Sequence, residues 1–170
     1  MNRSSFVSLS AVTVLVLALP TTAVTQQKSL KEQLVGTWNL TAWERTAPDG
    51  TKVHAYGSNP KGVAHFGADG RFFIFFARGD LPKLASNDRS KATPEEAKTI
   101  VDGTIAYAGT YTLDEASKTI SYRIEITSFP NQLGMEQKRV ITSLTADELK
   151  FTNPIASAGG KIDVAMKRAE

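Results

Sequence analysis

The chain has 170 residues, of which 41% are hydrophobic, enough for one domain with a core of its own. Lys and Arg total 20 against 17 Asp and Glu, a net charge of +3 with no basic cluster of the kind a nucleic-acid surface needs. There is no cysteine and there are only two histidines, which excludes disulfides and cysteine-held metals and leaves too little for a histidine metal site, so no cofactor is expected.

The N-terminus opens with Arg3, runs through the apolar stretch from Phe6 to Leu19, breaks at Pro20 and continues with small residues around Ala23. That order of charge, apolar run and small residues is the order of a secretory signal. The run is shorter than the ~20 residues of a spanning helix, so stable membrane insertion is not expected. The expectation is a signal peptide over residues 1–25, cut between 23 and 27, an exported (periplasmic or secreted) protein, and a single domain over residues 30–170. Cleavage deletes only Arg3 among the charges, lowering the net charge by one to +2.

From Leu34 to Arg45 the chain reads LVGTWNLTAWER. Trp38, Leu40 and Ala42 alternate with Thr37, Asn39 and Thr41, the period of a half-buried strand. Ala47-Pro48-Asp49-Gly50 is a turn: proline sets φ, Asp bonds back to the backbone and Gly accepts positive φ. Gly62 to Phe66 and Arg71 to Ala77 flank Gly67-Ala68-Asp69-Gly70 and predict a hairpin. The second of these strands, with Phe72 to Phe76 consecutive and apolar, has two apolar faces. Either something covers the outer one or it meets a partner, a homodimer being one such partner.

Thr93-Pro94-Glu95-Glu96 carries a capping box with proline at the first helical position and predicts one short helix from Pro94 to about Val101. The strand period then returns over Ile105–Leu113, Thr119–Thr127, Glu136–Leu144, Glu148–Asn153 and Ile162 to the end. In the second of these, Ile120, Tyr122, Ile124 and Ile126 alternate with polar residues. No parallel β-α-β pattern occurs, so successive strands should pair antiparallel. The fold class is all-β: an eight- to nine-stranded antiparallel up-and-down barrel with one short helix, closed on itself to remove its edges. Eight strands enclose a space that side chains fill or that holds one small ligand.

Gly36-Thr37-Trp38 at the start of the first strand, with a cation on the last, resembles the lipocalin superfamily. The longer series LVGTW, YGSNPKGVAHF and ADGRFFIFF, followed by a strand-rich second half, is similar to the bacterial and fungal lipocalin-like domain family. The resemblance runs from about Leu30 to the C-terminus. It implies a lipocalin-like barrel with a general competence to hold a small molecule. It also implies that Trp38 packs across the closed barrel end against Arg168, which shares a face with Ile162, Val164 and Met166.

The side chains able to bind are few. Tyr107, Tyr111 and Tyr122 fall on inner faces, and with Trp43, Phe73 and Phe75 they predict an aromatic lining. His65 sits opposite Ala64 and Phe66. Turned inward it would orient a ligand or move a proton; turned outward it is a surface histidine, the commoner case without a fixed carboxylate partner. Arg139 shares a face with Ile141, and an inward Arg139 would anchor a carboxylate or enolate. The candidate ligand-binding residues are thus Trp43, His65, Phe73, Phe75, Tyr107, Tyr122 and Arg139, with Gly36, Trp38 and Arg168 structural. Three readings follow: a carrier of a small hydrophobic or aromatic molecule; an isomerase- or cyclase-type enzyme with His65 or Tyr122 as base beside Arg139; and an interaction module.

Overall fold

The computed structural model describes residues 28–170, so the expected signal segment lies outside the described residues. The chain begins with a short helix α1 (Leu30–Leu34), started by a capping box between Ser29 and Glu32. There follow β1 (Gly36–Thr46), a two-residue strand β2 (Lys52–Val53), β3 (Lys61–Phe66) and β4 (Arg71–Ala77). Helix α2 (Pro94–Gly103) leads into β5 (Thr104–Asp114), and β6 (Thr119–Thr127), β7 (Glu136–Leu144), β8 (Glu148–Asn153) and β9 (Lys161–Arg168) complete the chain. The helix predicted from the Thr93 capping box is α2; α1 is a second, shorter one.

Eight strands form a closed antiparallel barrel in the order β1-β3-β4-β5-β6-β7-β8-β9, with β9 returning to β1 from Trp38↔Arg168 to Thr46↔Lys161. β2 is an extra strand against the end of β1. The connections follow from local chemistry. In the Gly67–Gly70 turn the Asp69 carboxylate accepts the Arg71 N–H at 3.0 Å, and Gly70 N–H closes on Gly67 O. Gly70 sits at φ +83°, a conformation glycine adopts without a Cβ clash.

Three bulges interrupt the ladders and reset which face a residue takes. One between Leu40 and Ala42 turns Ala42 outward and brings Trp43 level with Val164. Another sets Ala108 opposite Ile126 and Gly109 opposite Ile124, so Ile126 emerges 67% exposed. The plain alternation expected for Ala42 and Ile126 therefore stops one residue short in each strand. The third bulge lies between Ile141 and Ser143. Inside the barrel Trp38, Phe66, Ile120, Tyr122, Leu149 and Met166 are fully buried.

The two ends differ. At one, α1 lies across the opening. Arg168 donates to the carbonyls of Gln33, in the last turn of that helix, and Val35, its C-cap, and its guanidinium sits 4.1 Å from the Trp38 ring centroid. The Trp38 indole N–H donates to Leu34 O at 2.9 Å. Gly36 makes this approach available, since a Cβ there would meet Arg168 Nη1 at 2.7 Å and its φ is +132°. At the other end lie α2, the long connection before it, and the loops after β1, β6 and β8.

Candidate functional site

β5, β6 and β7 stand side by side, with Tyr122 level with Tyr111 on β5 and Gln137 on β7. Strand alternation sends Tyr107, Tyr122 and Arg139 into the barrel. The Tyr122 ring stacks on Phe72 at 4.5 Å and on Phe66 at 6.2 Å, and Tyr107 meets Phe72 edge-on at 5.9 Å. Arg139 Cζ lies 5.4 Å from the Tyr122 ring centroid. Its Nη1 donates to the Lys138 carbonyl at 2.9 Å and its Nη2 to Gln137 Oε1 at 2.5 Å. Gln137 is one inward position nearer the α2 end, so the guanidinium points toward that end.

Two polar features stand out within this packed interior. Arg139, 6% exposed, is the one charged side chain among the buried residues described, and no ion pair among the described residues includes it. Burying an unpaired charge costs several kcal/mol, which the Gln137 and Lys138 bonds and the Tyr122 ring offset only in part. The Tyr122 hydroxyl, fully enclosed, has no hydrogen-bond partner among the described residues. Burial, and after it the neighbouring Tyr107, pushes its pKa far above the ordinary phenol value. It is a neutral O–H donor at any physiological pH.

Trp43 joins the same interior through Tyr56, which it meets edge-on at 5.0 Å; Tyr56 in turn faces Phe76. Burial, and then Tyr107, raises the Tyr56 pKa as well.

The other three candidates are elsewhere. Phe73 and Phe75, expected in the aromatic lining, face outward at 45% exposure each, while Phe72, Ile74 and Phe76 fill the inside. His65 is on the same outer surface: its ring stacks on Phe73 at 5.4 Å and its Nδ1 shares a 3.0 Å hydrogen bond with Thr37 Oγ1. The hairpin register places Phe66 opposite Phe72 and His65 opposite Phe73. The reason is cumulative burial, because the Ala64–Phe66 face joined to Phe72, Ile74 and Phe76 buries far more apolar area than the alternative. Beside His65 and Phe73 the outer surface carries a shallow depression of about 280 Å³. His65 and Arg139 therefore lie on opposite sides of the barrel wall and share no point. The enzyme reading loses His65 as its base, and Tyr122, held protonated by burial, does not replace it.

Reading the sequence missed Phe72, Phe76, Tyr56 and Gln137. The first two turn on loop length: five residues, Gly67 to Arg71, stand between Phe66 and its partner Phe72, whereas a four-residue connection would have carried the inner face on to Arg71, Phe73 and Phe75. Gln137 follows from Arg139 by the strand period. Tyr56 lies in a loop, where no period applies.

A family model described as a lipocalin-like domain matches residues 35–165. The chain belongs to the lipocalin-like domain family. Its fold fits: the closed end is built on Trp38 and Arg168, as that resemblance implied, and the barrel is the eight-stranded antiparallel form with one added strand. Among solved structures, a lipocalin-like protein from Bacteroides uniformis ATCC 8492 aligns over 81% of this chain and 99% of that chain, at 14% identity and a TM-score of 0.44. No curated protein matches. Within this lipocalin-like domain, no described helix is long and apolar enough to cross a membrane.

Proposed function

We propose that this lipocalin-like domain binds a small hydrophobic or aromatic molecule inside its barrel, admitted at the α2 end, in a protein that is exported. The observation that carries the reading is the Tyr122 hydroxyl. A barrel interior evolved only to pack would hold phenylalanine there, because an enclosed hydroxyl without a partner forfeits its hydrogen bonds to water. The order of charge, apolar run and small residues in 1–27 supports export. Entry from the α2 side is supported by α1, Trp38 and Arg168, which occupy the opposite end.

Native mass spectrometry of protein purified from its own host tests the reading, together with titration of hydrophobic dyes and fatty acids. A co-purifying mass released on denaturation, or saturable one-to-one binding, is expected. No bound mass and no saturable binding of any probe would refute it.

A second reading rests on the outer face. Phe73 and Phe75, with Ile126 nearby across β5, form an exposed apolar surface bordered by the Arg71–Glu125 ion pair. A surface apolar at its centre with both charges at its rim suits contact with a second copy of itself. Sedimentation of the native protein and of Phe73→Ser measures this: a dimer that the substitution dissociates supports self-association, and a native monomer at 100 μM rejects it.

A further inference from the structure

We propose that the ligand carries a carboxylate, received inside the barrel by Arg139 and the Tyr122 hydroxyl, with the surrounding aromatic rings holding its apolar body. This rests on the reading of the barrel interior as a binding chamber.

The argument begins with an imbalance of donors. A guanidinium has five N–H donors and no acceptor. Arg139 places one on the Lys138 carbonyl and one on Gln137 Oε1, and the remainder meet no acceptor among the described residues. Tyr122 adds an O–H donor without a partner, on the ring over which the guanidinium lies. These unused donors, the Tyr122 hydroxyl fully enclosed among them, select a ligand rich in acceptors.

Charge narrows the choice. Surface cations such as Lys52, Arg71, Arg78 and Lys150 each sit within 4 Å of an acid, where solvent makes the pairing nearly worthless. The buried cation, which gains most from a counter-ion, has none among the described residues. The groups sharing the inner wall around it are Ile120 and Tyr122 on β6, Tyr107 on β5, Gln137 and Ile141 on β7, and Phe151 on β8, none of them an acid. One uncompensated positive charge matches one negative charge. The planar fork of the guanidinium fits the two oxygens of a carboxylate, and a neutral phenol beside it donates to the same group.

The body of the ligand follows from what lies next to these donors. Phe72 stacks on Tyr122, Tyr107 lies edge-on to Phe72, and the Trp43–Tyr56–Phe76 cluster continues toward the α2 end. These rings pack on one another, and the acyl chain or aromatic ring of a ligand would insert among them. A carboxylate on an apolar body satisfies both halves of the site, and a neutral apolar molecule satisfies only one.

Matched probes test this: cis-parinaric acid against its methyl ester, and 2-naphthoate against 2-naphthamide, titrated by fluorescence near pH 7.5 into the purified protein. In at least one pair the carboxylate is expected to bind tenfold or more tightly than its neutral partner. Arg139→Met should bring the acid down to the affinity of the neutral compound, which itself stays unchanged. Arg139→Lys should restore part of the difference, and Tyr122→Phe should reduce it several-fold. Equal binding of both members by the native protein overturns the proposal and leaves the chamber reading standing; so does an acid preference that survives in Arg139→Met. Absence of binding by every probe overturns the chamber reading and this proposal with it. Should Arg139→Met lose its native melting transition, Tyr122→Phe decides, and an undiminished acid preference there overturns the proposal.

Discussion

The Arg168 guanidinium lies over the Trp38 ring at 4.1 Å while its Nη1 and Nη2 donate to Val35 O and Gln33 O at 3.1 and 2.7 Å. One side chain from the last strand thereby holds the first strand and the C-terminal carbonyls of α1. A third bond runs from its Nε to Ala146 O in the β7–β8 turn. The closed end is tied from four segments of chain through a single cation, placed where the negative end of the helix dipole favours it.

Arg168→Met is accordingly expected to destabilise the domain. The cation–π contact contributes ~0.5–2 kcal/mol and each hydrogen bond to a carbonyl roughly 1 kcal/mol. A loss of about 2–4 kcal/mol corresponds to a drop in Tm on the order of 6–12 °C for a domain of this size. Arg168→Lys keeps the charge and loses the fork, so its loss should be about half as large. Thermal melts of the three proteins measure it, and an unchanged Tm in Arg168→Met would contradict the role of this residue as the tie.

Arg139 should behave in the opposite way. Its buried charge has no acid partner among the described residues, and methionine of similar length removes the desolvation cost while keeping the packing against Tyr122. Arg139→Met is expected to raise the Tm of the ligand-free protein by a few degrees, for a gain of order 1 kcal/mol or more. A residue kept for stability would lower it on removal. Differential scanning calorimetry after delipidation distinguishes the two.

Adjacent phenylalanines on β4 should differ sharply. Phe72, 3% exposed and stacked on Tyr122, should cost about 3–5 kcal/mol when replaced by alanine. Phe73, 45% exposed, stacks on His65 at the surface, and Phe73→Ala should cost less than ~1 kcal/mol. Urea denaturation of both variants tests which face is inside, and comparable losses would contradict the register of the β3–β4 hairpin.

That contrast shows where the sequence is legible and where it is not. Strand positions follow from period and turn chemistry: Asp69 and Gly70 mark the β3–β4 turn, and Thr93 with Glu96 marks α2. The inner face of Tyr122 follows because Ser121 and Arg123 alternate with Ile120 and Ile124 around it, whereas apolar Val140 and Ile141 on opposite faces leave the direction of Arg139 open. In Phe72 to Phe76 both faces are apolar, so alternation carries no information and the face is chosen by the partner strand, through Phe66. Trp43 is reached only because a bulge after Leu40 shifts it, and bulges of this kind leave no composition signal, as Ile126 shows in the opposite direction. Trp38 and Arg168, 130 residues apart in sequence, are paired by barrel closure; the resemblance to a known family, rather than any local pattern, pointed to them.

The segment before and within α2 has its own pH limit. The Glu96 carboxylate accepts the Thr93 N–H at 2.9 Å and the Ala85 N–H at 2.8 Å, tying the connection after β4 to the first turn of α2. These bonds, the one from Thr93 first, hold its pKa below the ordinary value of 4.5. A carboxyl whose pKa is depressed by folding stabilises the folded arrangement fully above the unfolded value and loses that contribution as pH falls through the folded one. The α2 end should therefore keep its order at pH 6 and loosen below about pH 4.5, before the barrel strands do. Hydrogen exchange read at the Ala85 and Thr93 amides, corrected for the intrinsic pH dependence, should show protection falling in that window in the native protein. In Glu96→Gln the amides should be less protected at pH 6 and show no further loss on acidification. Equal protection at pH 6 and pH 3.5 in the native protein would mean that Glu96 does not hold this end together.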